Sequence, residues 1–182
     1  LKFYSTLNPL KQFSLPFTGL KLGTHQFDYE LDDTFFNAFE YSLIKSGNLK
    51  VNLELDKQET MLLLKFKVIG TVNLDCDKCL SEFALPINLY ERQIVKFAED
   101  ELESDDEEII SLSRKETSID ISKPLYEMIN VAVPYIKNCE QSGKDCDQEM
   151  ISRLENLSIE KQSEEKEQNS DPRWEALNKL KK

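Results

Sequence analysis

The clearest pattern in the chain is a period of two. Leu49, Val51, Leu53 and Leu55 alternate with polar residues, and the polar stretch Asp56-Lys57-Gln58-Glu59 follows. Leu62, Leu64, Phe66, Val68, Val72 and Leu74 then share one face, with Lys65, Lys67, Thr71 and Asn73 on the other. Phe83, Leu85, Ile87 and Leu89 resume the alternation, and Ile94 to Phe97 prolongs it. Alternation of this length marks strands buried on one side. Three such strands joined by short turns predict an antiparallel meander, in which Gly70 permits a bulge or bend.

The flanks are shorter and mixed. Leu15 to Leu22 and Phe27 to Leu31 alternate well enough for two more strands, with His25 as a loop or strand-end residue between them. Asp32-Asp33 before Phe35, Phe36, Phe39, Leu43 and Ile44 predicts a capped helix over roughly 33–44. Ile109 to Ser113 predicts a short strand. A helix should enter at Ser122, carry Pro124 in its first turn and stop before Pro134, and Asp147 should cap another with Met150, Ile151, Leu154 and Leu157 on one side. The expectation is an α+β domain over 1–159: an antiparallel β-meander or partly closed, barrel-like sheet with several short packing helices. Residues 160–170 lack apolar periodicity and read as a flexible linker. Residues 171–182 read as a C-terminal docking helix with Trp174, Leu177 and Leu180 as its apolar stripe, since so short a helix needs a surface to lean on.

Charge refines this outline. The chain has 182 residues and a net charge of -11, and the run 99–108 holds eight acids and no base. Such a run repels itself and reads as a mobile, solvated loop. An acidic chain argues against sequence-independent binding of nucleic acid, although Lys65 and Lys67 offer a local contact for phosphate. No stretch is long and apolar enough for a transmembrane helix, and the first residues do not form a signal peptide, so a cytoplasmic protein with no membrane partner is expected.

Chemistry is concentrated in the cysteines. Cys76 and Cys79 form a C-x-x-C at the turn between two strands, and Cys139 and Cys146 lie far downstream, separated by six residues. Two thiolates at a tight turn face one cation, and a second pair completes a tetrahedral S4 site with Zn2+ as the candidate ion. Free thiols are the competing reading. A disulfide is disfavoured because nothing marks the chain as secreted. A thioredoxin-like redox pair requires a helix starting at the motif, whereas strand follows it here. With one histidine, no phosphate-binding glycine loop and no repeat, no catalytic group stands out, and a non-enzymatic role is expected.

Several segments together resemble the YceD family, implicated in accumulation of large-subunit ribosomal RNA. They are Gly19-Leu-Lys-Leu-Gly-Thr-His-Gln-Phe27, the strand ending Asp75-Cys-Asp-Lys-Cys-Leu80, Ile119-Asp-Ile-Ser-Lys-Pro-Leu-Tyr-Glu127, and the closing Asp171-Pro-Arg-Trp-Glu-Ala-Leu-Asn-Lys-Leu180. Many family members carry a more closely spaced downstream cysteine cluster than Cys139 and Cys146. The resemblance implies a factor in large ribosomal subunit biogenesis that binds a precursor particle or a basic ribosomal protein. It also implies metal binding at Cys76 and Cys79, extended to Cys139 and Cys146, and a local contact with ribosomal RNA. Arg173, Trp174, Leu177 and Leu180 join Lys65 and Lys67 as candidate partner contacts. The alternatives are a thiol oxidoreductase using the C-x-x-C and a general protein-interaction module.

Overall fold

The computed structural model describes residues 9–40, 42–98 and 109–157. The acidic run 99–108, the linker 160–170 and the docking segment 171–182 lie outside the described residues. Five strands build the main sheet in the order β2-β3-β4-β5-β6: Gly23–Leu31, Ser46–Lys57, Met61–Asp75, Glu82–Ala98 and Ile109–Ser113. The first four pair antiparallel, as the alternation predicts, and β6 joins β5 in parallel. The sheet is open, not a closed barrel.

One face carries the predicted apolar positions. Leu49, Leu53, Leu55, Leu62, Val68 and Val72 are fully buried. Each such side chain contributes about 1.5–3 kcal/mol on leaving water. The residues packed on this face come from segments outside the main sheet. The 3-10 turn Pro9–Phe13 leads into β1 (Ser14–Pro16), which pairs with β7 (Ser118–Asp120). Phe13, Leu15, Ile119 and Ile121 of this ribbon complete the core together with α1 (Asp33–Asn37) and α2 (Ser122–Ala132). Phe13 meets Phe35 edge-on at 4.9 Å, and Phe39 stacks on Tyr126 at 4.0 Å.

Three expectations need correction. The strand expected over Leu15 to Leu22 is only three residues long, because Phe17 to Leu20 turns and β1 finds its partner in β7 instead of β2. The helix expected over 33–44 ends at Asn37. Asp32 caps it as predicted, but the chain then continues in tight turns, with Phe39 N–H donating to Phe36 O and Ser42 N–H to Phe39 O. Leu43 is consequently 83% exposed, while Ile44 is buried as the chain enters β3. Gly70 makes no bulge, since the β3–β4 register runs through it unbroken. Its φ of 155° instead allows a close approach: a Cβ there would stand 2.1 Å from Asn48 O.

Candidate metal centre

The turn between β4 and β5 is a hydrogen-bonded knuckle. Leu80 N–H donates to Cys76 O at 2.9 Å, and Cys76 N–H donates to Ser81 O at 3.0 Å. Closing the loop so tightly places Leu80 in the left-handed region at φ 61°. Both sulfurs of the C-x-x-C point inward and are fully buried.

The wider spacing of the second pair is absorbed by local structure. Residues Cys139–Ser142 form a 3-10 turn, and Gly143 at φ 71° reverses the chain so that Lys144 N–H reaches Cys139 O at 3.2 Å. This returns Cys146 to the same point. Its neighbour Asp147 then accepts from Glu149 N–H at 2.9 Å and Met150 N–H at 3.2 Å, starting α3 (Gln148–Leu157).

Asp77 joins the two halves. Its N–H donates to Lys137 O at 2.8 Å, and its carboxylate accepts from Lys137 N–H at 2.7 Å. Lys78 and Glu140 add an exposed ion pair at 2.7 Å, of little energetic weight at such a surface. Asp77 and Gly143 are the residues that cysteine counting misses. An acid inside the C-x-x-C and a glycine inside the C-x6-C are the only signs of them in the sequence.

The four sulfurs of Cys76, Cys79, Cys139 and Cys146 lie within 4.8 Å of one another. Cys76 Sγ is 3.7 Å from Cys146 Sγ, and Cys79 Sγ is 3.7 Å from Cys139 Sγ. A Zn–S bond of about 2.3 Å at tetrahedral angles sets neighbouring sulfurs about 3.8 Å apart, whereas a disulfide needs about 2.05 Å. The geometry fits a cation and all four cysteines are free thiols.

Their electrostatics agree. The backbone N–H of Ser81, assisted by that of Asp147, draws the Cys79 thiol down to about 6. Burial pushes Cys76 up, but amides of Cys79, Lys78 and Cys139 outweigh it, and the net shift is downward. Burial, reinforced by the neighbouring sulfurs, pushes Cys139 up to about 12 and Cys146 in the same direction. Four thiolates in one dry pocket repel, and a divalent ion is what lets all of them ionise together.

The other predicted contacts disperse. His25, expected between two strands, lies inside β2 opposite Leu55, donates to Lys21 O at 2.8 Å and takes no part in the cluster. Lys65 is tied to Glu54 at 2.8 Å on the outer face of the sheet. Lys67 sits 5.4 Å over the Tyr90 ring and borders a shallow trough with Lys50 and Ile69. Arg173, Trp174, Leu177 and Leu180 lie outside the described residues. No helix among the described residues is long and apolar enough to cross a membrane.

The fold and the site define a small α+β protein whose longest hairpin ends in a buried four-cysteine centre. A family model described as Large ribosomal RNA subunit accumulation protein YceD matches residues 64–181, about two thirds of the chain, including all four cysteines. The chain belongs to this YceD family. The resemblance read at Gly19–Phe27 lies outside the matched residues. No curated protein and no solved structure matches the chain.

Proposed function

We propose that the protein is a non-enzymatic factor in large ribosomal subunit biogenesis, held in its binding form by a structural Zn2+ on Cys76, Cys79, Cys139 and Cys146. The observation that carries the metal is the convergence of four buried sulfurs from two distant segments at tetrahedral spacing. Such a closed S4 set leaves no position open for a substrate, which suits a structural role. A thiol oxidoreductase needs a sulfur that a partner disulfide can reach. All four here are at most 8% exposed.

The family assignment supports the ribosomal part of the reading. An acidic protein in this role favours a precursor particle through a basic ribosomal protein. Any contact with ribosomal RNA falls on the outer sheet face at Lys67 and Tyr90 in preference to Lys65, whose charge Glu54 already holds. Two measurements test the proposal. Protein purified without added metal should carry one zinc per chain by elemental analysis, and Cys76→Ser should lose it. In sucrose gradients the full chain should comigrate with large-subunit precursors. Its absence from those fractions would remove the ribosomal reading, and a metal-free purified protein would remove the zinc.

A further inference from the structure

Beside the cysteine centre runs an apolar groove. Its walls are the turn that follows α1 and the segment after α2, with Leu43, Leu74, Val133 and Tyr135 lining a cavity of about 360 Å³. Tyr135 is 98% exposed and Leu43 83%. Ile44, Leu74 and Pro134 line the same groove. Apolar side chains gathered at one place on a surface, instead of scattered singly, mark an interaction site.

The groove has a charged mouth. Leu43 and Leu74 continue from it into a smaller recess that Asp75 and Glu82 also line. These two acids are directly opposed across the β4–β5 pair. Like charges in that position destabilise a sheet. Neither is ion-paired among the described residues, and Lys45, which shares the recess, is paired to neither. On the other side of the groove, Lys137 is already bridged to Asp77 at 3.5 Å. The arrangement is an apolar trough ending in two facing carboxylates that form no ion pair among the described residues.

We propose that this groove docks a basic amphipathic segment of a protein partner, with apolar side chains against Leu43, Val133 and Tyr135 and an arginine or lysine over Asp75 and Glu82. The charge at the mouth selects the occupant. A cation there removes the Asp75–Glu82 repulsion, whereas an acidic segment or a nucleic-acid phosphate would worsen it. The inference deepens the ribosomal reading by naming the surface a basic partner would use. It also makes the cysteine centre the fixture of one wall, because the Asp77–Lys137 bonds hold the Tyr135 segment against the knuckle.

The test uses zinc-loaded full chain and two fluorescein-labelled fourteen-residue amphipathic peptides, one of leucine and lysine and the other of leucine and glutamate. Fluorescence anisotropy should show binding of the lysine peptide only. Asp75→Asn with Glu82→Gln should weaken it about tenfold and flatten its salt dependence. Leu43→Ser and Tyr135→Ser should each weaken it about tenfold or more. These side chains are exposed, so the variants should keep the wild-type melting temperature. Leu22→Ser, at the far end of the sheet and also exposed, should bind as wild type. Equal binding by groove variants and wild type overturns the proposal. So does a concentration-dependent dimer abolished by Tyr135→Ser, which would assign the groove to a second copy. If Tyr135→Ser and Leu43→Ser still comigrate with large-subunit precursors, the groove is wrong and the ribosomal reading stands.

Discussion

At one end of the sheet, Leu55, Leu62, Leu64 and Val95 are buried without remainder, and Lys57 Nζ donates to Phe17 O and Leu20 O at 2.9 and 2.8 Å. Apolar burial and a capped set of carbonyls close that end from within the chain. The opposite end is built differently. There α3 has no buried residue, with Leu154 at 40% and Leu157 at 71% exposure, and the segment from Lys137 to Asp147 is held by a few backbone bonds and four sulfurs. The first end needs only water to expel. On the proposed reading the second is completed by an ion on its four sulfurs, and the wall of the proposed docking groove would depend on that ion. Sheet stability and cysteine-end order should therefore respond to different perturbations.

The largest effect should come from removing the metal. Structural zinc sites contribute on the order of 10 kcal/mol to the segments they organise. With a chelator, amides of 139–157 should lose hydrogen-exchange protection by at least about a hundredfold, while those of β3 and β4 stay protected. Uniform loss across both regions would show that the ion supports the whole fold, and unchanged protection would show that it supports neither.

The converse perturbation is Phe66→Ala. Phe66 is 2% exposed in the middle of β4, paired to Leu53 on one side. Its truncation should cost about 3–5 kcal/mol in denaturant unfolding. Zinc stoichiometry of the folded fraction should not change. A variant that folds but loses its zinc would break the separation of the two ends.

Gly70→Ala should follow at about 2–4 kcal/mol, since a side chain at φ 155° meets Asn48 O and Leu49 Cα at 2.1 and 2.8 Å. The strands must part or the residue must flip. A loss below about 0.5 kcal/mol would mean that β3 and β4 yield easily there.

The two ends were unequally legible in the sequence. Period-two alternation announces each long strand, because each buries one face against the same core. The C-x-x-C turn was equally plain, sitting between two such runs. What local pattern does not carry is distant pairing. Ser14 meets Asp120 across more than a hundred residues, a pairing that no local pattern announces. Leu43 has helical spacing but faces solvent, so the pattern extends the helix over 33–44 beyond its end at Asn37. The six residues between Cys139 and Cys146 exceed the usual knuckle spacing, and the sequence does not show that a 3-10 turn and Gly143 absorb the excess. The groove itself joins Leu43, Leu74 and Tyr135 from three segments, and no single stretch shows it.

The smallest effect sharpens the comparison at the knuckle itself. Leu80 adopts φ 61°, where an L side chain costs about 1–2 kcal/mol. This backbone accompanies the two bonds that close the turn, Leu80 N–H to Cys76 O and Cys76 N–H to Ser81 O. The side chain recovers little, being 61% exposed. Glycine removes the steric cost and adds about 0.5–1 kcal/mol of unfolded-state entropy to be lost on folding. Leu80→Gly should therefore stabilise the zinc-loaded protein by about 0.5–1 kcal/mol in denaturant titration, and Leu80→Ala, which keeps the strain, should be neutral. The gain should vanish in chelator, where the knuckle no longer has four sulfurs to hold in place. A gain that survives chelation would mean that the turn is ordered by its backbone bonds alone, and the division between a self-sufficient end and an ion-dependent one would have to be drawn beyond Leu80, at the downstream cysteines.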